Sequence, residues 1–345
     1  MIKFPSIEQF RTINATILRQ FNFVGLDETG EAIYDTNLPK PKLWFKGSVK
    51  LHGTNAAVCY NTAGGLWAQS RESIITVEND NAGFAFFVES NKDAFNQLFR
   101  KIQDETSVSF EHNTVSIYGE WCGGNIQKGV AITNLPKSFF IFGVKISPIR
   151  TKEQEEDNKE VSFWVESNYL EVPENRIYNV DSFQTYAIEI DFNNPQLVQD
   201  KLTELTLAVE AECPIGKAFG FSGVGEGIVW KTELDGEVHR FKVKGDKHSS
   251  SKSEKIVSID VEKLESIQKF IEYAVTESRF KQGLENVFPN EEPIEIKKMG
   301  ELIKWVVNDV IKEETDTMVA NNIEPKEVNK YISTRVREMF MALSV

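Results

Sequence analysis

The spacing of apolar residues divides the chain into regions of different periodicity. Between Ser6 and Phe21, isoleucines and phenylalanines recur every three or four residues, as in an amphipathic helix, and Ser6 followed by Gln9 has the pattern of a capping box. From about Leu43 to Lys244 the apolar runs are short, rich in β-branched and aromatic residues, and interrupted by glycine, asparagine or proline. This pattern predicts a sheet-rich α+β domain.

Helical periodicity returns at two places inside that region, in NKDAFNQLFRKIQ and in PQLVQDKLTELTLAVEAE, and then dominates the chain after Ser249. Three stretches beyond that point have apolar residues at helical spacing, and Pro325 can begin the third helix. The polar segment HSSSKSEK lies where the pattern changes. We therefore predict an α+β domain over residues 1–250 and an all-α C-terminal domain over residues 251–345.

Composition narrows the class of protein. With 345 residues, 41% apolar and 26% charged, the chain is long enough for two domains and has the balance of a soluble protein. It contains no uncharged apolar stretch of about 18 residues and no signal-peptide core, so we expect a cytoplasmic protein without a membrane partner. Cys59, Cys122 and Cys213 are far apart and lack metal-ligand spacing, which predicts reduced, buried thiols.

The charge distribution permits a local phosphate site in an acidic protein. The formal net charge is -13, which argues against indiscriminate binding of polyanions. Between Val238 and Lys255, however, six lysines and arginines outnumber two acidic residues. A phosphate responds to the nearby field rather than to the total charge.

The segment VKLHGTN combines several reactive side chains at the mouth of a predicted strand. Strand periodicity puts Lys50, His52 and Thr54 on one face. Gly53 permits a tight turn, and Thr54 and Asn55 can form hydrogen bonds to a ligand. Taken alone, the pattern fits an exposed strand end equally well.

The segment RFKVK adds a second pair of cations. Periodicity puts Lys242 and Lys244 on one face, and Phe241 and Val243 on the other. Two aligned ammonium groups repel each other unless an anion lies between them, so this pair indicates a phosphate ligand.

Two other sequence patterns do not predict the binding sites that they would suggest. GEGIVWKT resembles a phosphate-binding P-loop, but Trp230 stands where that loop needs glycine. The four histidines have no zinc-binding spacing, which argues against a zinc hydrolase.

Five short motifs follow one another along the chain: KLHGTN (50–55), YGEW (118–121), FFIFGV (139–144), EGIVWK (226–231) and FKVK (241–244). In this order and approximate spacing the chain resembles the RNA ligase 2 family, phage-type covalent nucleotidyltransferases related to the trypanosome RNA-editing ligases. Its KxHGTN motif is more specific than the KxDG of DNA ligases and capping enzymes. The resemblance covers nearly the whole chain.

The resemblance implies both a fold and an activity. It implies an ATP-grasp-like nucleotidyltransferase domain of antiparallel sheets, followed by a helical domain in place of the OB-fold of DNA ligases. The implied activity is ATP-dependent sealing of 3′-OH/5′-phosphate nicks in duplex RNA or RNA-containing duplexes, with Mg²⁺ or Mn²⁺. A lysine attacks the α-phosphate of ATP, AMP passes to an RNA 5′-phosphate, and the 3′-OH displaces AMP. We expect a monomer that acts in RNA repair, in the host cytoplasm if it is phage-encoded.

The resemblance also implies the catalytic groups. Lys50 is the expected nucleophile, and it must lose its proton before it attacks, which neighbouring cations and a metal favour. Glu226 is expected to bind the metal, because Mg²⁺ prefers hard oxygen ligands. The implied catalytic residues are four lysines: Lys50, Lys231, Lys242 and Lys244.

Further residues are implied to bind the nucleotide or the RNA. Arg71 and Glu120 are expected to hold the ribose, and Phe142 is expected to stack on adenine. The full set implied to contact the nucleotide is Leu51, Arg71, Glu120, Phe142, Lys231, Lys242 and Lys244. The set implied to face the RNA is His52, Thr54, Asn55 and Gln127.

Alternatives and departures from the family pattern stay open at this point. The alternatives are an ATP-dependent DNA ligase or an mRNA guanylyltransferase with the same core, or a non-catalytic RNA-binding relative. The family often has an arginine just before the motif I lysine, where Lys46 is the candidate substitute here. A family tyrosine near the N-terminus corresponds to Phe4, which lacks the hydroxyl.

Overall fold

The chain forms two compact units, Met1–Gly245 and Asp246–Val345. The computed structural model describes residues 1–149, 162–248, 263–288, 294–320 and 323–343. The predicted boundary at residue 250 and most of the segment HSSSKSEK lie outside the described residues.

The first unit is built on two large sheets and a separate two-stranded sheet. Its strands are β1 (Glu8–Gln9), β2 (Phe23–Leu26), β3 (Ala32–Tyr34), β4 (Lys42–Lys50), β5 (Thr54–Asn61), β6 (Gly65–Ser70), β7 (Ile74–Ile75), β8 (Asn113–Cys122), β9 (Ser138–Pro148), β10 (Phe163–Val165), β11 (Ile177–Asn179), β12 (Thr185–Asp191), β13 (Gly227–Leu234) and β14 (Glu237–Lys244). The five-stranded sheet has the order β1-β14-β13-β4-β12. The seven-stranded sheet has the order β10-β9-β8-β5-β6-β7, with β11 beside β9. The two-stranded sheet consists of β2 and β3. Pairing is antiparallel except for β1 with β14 and β11 with β9.

Helices cover one face of each large sheet. The α-helices described in this unit are α1 (Phe10–Asn22), α2 (Phe84–Ser90), α3 (Lys92–Thr106), α4 (Gln199–Ala211) and α5 (Pro214–Ala218). Apolar side chains of α2 and α3 form one core with the seven-stranded sheet. Ile17 of α1 and Val209 of α4 share a second core with Trp230 of β13. The predicted thiols Cys59, Cys122 and Cys213 are buried and free.

The N-terminal helix begins later than the sequence pattern predicts. Helix α1 starts at Phe10, and no side chain caps it. Glu8 and Gln9 instead pair in parallel with β14, opposite Phe241 and Lys242. The predicted capping box was wrong because these residues extend the sheet.

The second unit is helical, as predicted. Its described α-helices are α6 (Lys263–Ala274), α7 (Glu277–Val287), α8 (Met299–Ala320) and α9 (Pro325–Ala342). Apolar residues from all four pack into one core, with Phe270, Val306 and Phe340 fully buried. Helix α7 was not predicted separately; it begins after Thr276, whose hydroxyl accepts the N–H of Arg279. Within the described ranges, no helix is long and apolar enough to cross a membrane.

A buried ion network joins α7 to α8. Arg279 is completely buried, and its Nε donates to Asp309 Oδ2 at 2.8 Å. Its Nη2 donates to Oε1 of the equally buried Glu314 at 3.1 Å, and its Nη1 donates to the carbonyl of Ala274. Removing one partner of such a network leaves an uncompensated buried charge.

Replacing Arg279 with methionine should lower the free energy of unfolding by about 3–5 kcal/mol, because Glu314 then lacks its cationic partner. Urea denaturation of the full chain measures this loss. The matched control is Arg335→Met, because Arg335 is half exposed and lies 3.6 Å from Glu338. This control should lose less than about 1 kcal/mol. Equal losses in the two variants would contradict a special role for the buried network.

Candidate active site

Lys50 lies where the chain passes from one sheet to the other. It ends β4 in the five-stranded sheet, and Thr54 begins β5 in the seven-stranded sheet. The prediction that Lys50, His52 and Thr54 share one strand face was wrong, because residues 51–53 are not part of a strand and the alternation is interrupted.

Three basic side chains surround one buried carboxylate. Lys50 Nζ donates to Glu226 Oε2 at 2.7 Å, and His52 Nδ1 lies 3.4 Å from the same oxygen. Lys244 Nζ lies 3.4 Å from Glu226 Oε1. Strand register explains this meeting, because Gly227 pairs with Lys50 on one side and with Lys244 on the other. Glu226, immediately before Gly227, therefore lies between the two lysines.

The basic neighbours keep Glu226 ionised. Burial alone raises the pKa of this carboxyl, since only 3% of its side chain is exposed. Lys50, Lys244 and His52 outweigh that effect and hold the pKa well below its ordinary value. Glu226 is therefore an anion at neutral pH.

Glu120 lies close to this cluster, and its pKa is shifted in the opposite direction to that of Glu226. It belongs to β8, and its Oε1 accepts the N–H of Gly53 at 2.9 Å. Burial raises the pKa of Glu120 to about 7, and the charge of Glu226 adds to this effect while Lys50 opposes it. A Cβ on Gly53 would lie 2.5 Å from the carbonyl oxygen of Trp121, so the close approach of these two backbone segments requires glycine.

Replacing Glu120 with glutamine should stabilise the ligand-free protein at pH 8 but not at pH 4. The pKa of Glu120 rises from 4.5 to about 7 on folding, so the folded state holds more protons between these values. The free energy of unfolding of the parent protein therefore falls by about 3 kcal/mol in total as the pH rises through this window. Urea denaturation of both proteins at the two pH values tests this, and an equal difference at pH 4 and pH 8 would contradict it.

Lys46 and Lys231 meet at a different carboxylate, Asp181. Lys46 Nζ lies 2.8 Å and Lys231 Nζ 3.5 Å from Asp181 Oδ2. The Asp181 side chain is only 5% exposed, and its backbone N–H donates to Asn179 Oδ1 at 3.0 Å. Sequence reasoning missed Asp181, because an aspartate in a short turn is common and its partners come from the pairing of β4 with β13.

Phe142 lies at an irregularity of the seven-stranded sheet. The register of β8 and β9 shifts between Tyr118 and Gly119, which leaves Phe142 without a direct partner. Such bulges redirect a side chain and are frequent beside active sites. The ring of Phe142 is partly buried. Its centroid lies 4.9 Å from that of the Phe4 ring, and the two rings pack edge to face.

Two residues implied to contact the nucleotide lie outside the Glu226 cluster. The side chain of Leu51 is buried in the core of the five-stranded sheet. Arg71 follows β6 with 46% of its side chain exposed, and its Nε lies 3.7 Å from Glu72 Oε1. The described contacts of Arg71 therefore do not join it to Glu120.

The residues implied to face RNA are distributed around the crossing between the sheets. Thr54 Oγ1 accepts a hydrogen bond from Asn81 Nδ2 at 3.1 Å, and Asn55 pairs with Glu120 across β5 and β8. Gln127 lies in the loop after β8, where its carbonyl accepts the hydroxyl of Thr133 at 2.7 Å.

Comparison with known proteins places this site in a family. The model of the family RNA ligase matches residues 45–244, more than half of the chain. The chain belongs to the RNA ligase family. This span includes both carboxylate clusters: Glu226 with Lys50 and Lys244, and Asp181 with Lys46 and Lys231.

Solved structures that are similar to this chain include three of Naegleria gruberi RNA ligase. The form with PPi has 16% identity and a TM-score of 0.39, and a mutant with ATP and Mn has 13% and 0.41. A mutant with AMP and Mn has 14% identity and a TM-score of 0.39. Each match covers 71% of this chain and 56% of the other, so the chain spans little more than half of these proteins. A search of curated proteins gave no match.

The residues of this chain fit a divalent metal that takes few protein ligands. Among the described residues, no group of three or more His, Cys, Asp or Glu side chains could hold a metal ion. Mg²⁺ commonly takes one or two carboxylates together with phosphate oxygens and waters. Glu226, an ionised carboxylate beside Lys50, fits that mode.

Proposed function

We propose that this RNA ligase uses ATP to seal 3′-OH/5′-phosphate nicks in duplex RNA, through a Lys50–AMP and an RNA–adenylate intermediate. The observation that carries the proposal is the contact of Lys50 with Glu226 at 2.7 Å, with Lys244 at the other carboxylate oxygen. A nucleophile, a metal-binding anion and a second cation thus meet at one point. The protein acts as a monomer in RNA repair.

In the first step, Lys50 Nζ attacks the α-phosphorus of ATP. The N–P bond forms as the bond from the α-phosphorus to the pyrophosphate oxygen breaks. The ion pair with Glu226 favours the protonated lysine, whereas the nearby charge of Lys244 disfavours it. Mg²⁺ bound at Glu226 would neutralise that carboxylate and so favour loss of the proton from Lys50. Lys242 and Lys244 stabilise the charge on the α-phosphate.

The nucleotide is held from the seven-stranded sheet. Phe142 stacks on adenine, and Glu120 binds a ribose hydroxyl. A carboxyl with a pKa of about 7 can accept or donate a hydrogen bond near neutral pH. Arg71 reaches the ribose only after it leaves Glu72, and Leu51 contributes through its backbone.

In the later steps, an oxygen of the RNA 5′-phosphate attacks the phosphorus of Lys50–AMP, and the lysine leaves. The 3′-OH then attacks the 5′-phosphate, and AMP leaves. The side chains assigned to the RNA in these steps are His52, Thr54, Asn55 and Gln127. His52 lies 3.4 Å from Glu226 and thus beside the reacting lysine.

Ligation of matched nicked substrates tests this function. The protein should seal a nick in duplex RNA faster than the same nick in all-DNA duplex or than free single-stranded RNA ends, and ATP should be required. Faster sealing of the DNA nick would identify a DNA ligase. Protein labelling with GTP instead of ATP would identify a guanylyltransferase, and RNA binding without any turnover would identify a non-catalytic relative.

A further inference from the structure

The face of the seven-stranded sheet that carries Phe142 is covered by residues that precede β1. Helices α2 and α3 pack on one face of this sheet, where Val58 of β5 is buried. Alternate residues of a strand point to opposite faces, so Cys59 lies on the other face. Cys59 and Tyr118 belong to a separate small core on that face. The partly buried side chains packed against this core include Ile2, Phe4 and Phe142.

The main chain at Ile2 is anchored to two buried side chains of the sheet. Strand register sets Gln69 of β6 and Tyr118 of β8 on either side of Ala57, so both side chains lie on the face described above. Gln69 Nε2 donates to the carbonyl of Ile2 at 2.6 Å, and the hydroxyl of Tyr118 donates to the same oxygen at 2.9 Å. Gln69 is only 2% exposed, and its Oε1 accepts the N–H of Ile2 at 3.4 Å. Buried polar groups are costly to leave unpaired, so these contacts fix Ile2 against the sheet.

The same stretch of chain then joins the five-stranded sheet. Glu8 and Gln9 form β1, which pairs in parallel with β14. Strand β14 belongs to the sheet in which β4 ends at Lys50. We call residues 2–9 the bridging segment, because they are attached to both sheets. The bridging segment therefore connects the sheet that carries the reacting lysine with the sheet that carries Phe142.

Phe4 lies in the middle of a group of aromatic rings. Its ring centroid lies 4.9 Å from that of Phe142, 5.2 Å from that of Tyr118 and 5.4 Å from that of Trp164. The guanidinium of Arg240 lies 5.5 Å from the Phe4 ring. Because Phe142 lies at the irregularity between β8 and β9, the regular pleat does not fix its direction. The packing of Phe4 against it supplies that constraint.

We propose that the bridging segment holds the Phe142 ring in the orientation that stacks on adenine, with Phe4 and Gln69 as positioning residues. The inference rests on the proposed function, because it takes Phe142 as the adenine contact. Phe4 acts by packing against the Phe142 ring, and Gln69 acts by fixing the main chain at Ile2. The phosphates of ATP are assigned to the Lys50 cluster on the other sheet. Loss of this positioning should therefore weaken binding of the base and leave binding of the phosphates unchanged.

Equilibrium affinity for ATP tests this role. It is measured by calorimetry in the Lys50→Ala background, in which no covalent adduct forms. Phe4→Leu should raise the Kd for ATP by about two- to tenfold, the loss expected for one aromatic contact. Gln69→Leu should raise it in the same direction, because the main chain at Ile2 then loses its amide partner. In the protein that retains Lys50, both substitutions should raise the KM for ATP and leave the rate of adduct formation at saturating ATP unchanged.

Three comparisons separate positioning from general damage to the fold. Tripolyphosphate, which has no base, should bind the parent and both leucine variants equally. Phe4→Tyr keeps the aromatic ring and should retain the parental Kd for ATP. Lys3→Ala removes an exposed ion pair with Glu72 in the same segment and should also retain it.

Two results would overturn the proposal. One is a parental Kd for ATP in both Phe4→Leu and Gln69→Leu. The other is an equal loss of affinity for ATP and for tripolyphosphate, because the segment would then act on the whole groove rather than on the base. If the parent forms no Lys50–AMP while the leucine variants still weaken ATP binding alone, the proposed function fails and the positioning of Phe142 stands.

Discussion

Lys50→Ala should reduce ATP-dependent sealing by at least about 10⁴-fold, the scale of loss when a covalent nucleophile is removed. The reason is chemical, because Lys50 is the amine assigned to attack the α-phosphorus, and it donates to Glu226 Oε2 at 2.7 Å. Single-turnover ligation of nicked RNA measures the loss. The matched control is Lys42→Ala, since Lys42 lies on the same strand, is 59% exposed and pairs with Asp191 at 3.4 Å. This control should seal at the parental rate.

Supplying RNA that is already adenylated distinguishes a chemical defect from a folding defect. The bond that Lys50 would have formed is then bypassed, so Lys50→Ala should join this substrate without ATP. Failure of the variant on adenylated RNA would contradict the assignment of Lys50 to the first steps alone.

Glu226→Gln should slow the formation of protein–AMP by about 10²–10³-fold, the usual effect of removing one preorganised electrostatic group. The substitution keeps the size of the side chain but removes the charge between Lys50 and Lys244. Rapid-quench measurement of adduct formation gives the rate. Glu233→Gln is the matched control, because Glu233 is an exposed carboxylate on β13, the strand that begins directly after Glu226.

Metal titration sharpens this second prediction. If Glu226 holds the metal, Glu226→Gln should raise the Mg²⁺ concentration needed for half-maximal adduct formation, whereas Glu233→Gln should not. A lower maximal rate at an unchanged metal requirement would contradict a metal-binding role and leave Glu226 as an ion-pair partner only.

The regular parts of the fold were predictable because they depend on local periodicity. Short β-rich runs predicted a sheet-rich domain, and helical spacing predicted α3, α4, α6, α8 and α9. Alternation in RFKVK predicted that Phe241 is buried and that Lys242 and Lys244 share the other face, and both lysines occupy alternate positions of β14. Each of these features requires only neighbours in sequence.

The pairing of distant residues was not predictable from such patterns. Asp181 gains its role because the register of β4 and β13 sets Lys46 opposite Lys231. The polar segment VKLHGTN was interpreted as one strand, whereas the need for Gly53 to approach Trp121 makes it a crossing between sheets. The contacts of Asp181 depend on strand register, and the crossing at Gly53 depends on a close backbone contact. Neither can be inferred from the residues that are adjacent in sequence.

The most direct measurement of the central claim is incubation of the protein with α-labelled ATP and Mg²⁺, followed by denaturation and peptide mapping of the label. The account predicts one acid-labile AMP per chain, attached to Lys50 and absent from Lys50→Ala. Label at another residue, label that persists in Lys50→Ala, or no covalent label at all would contradict it.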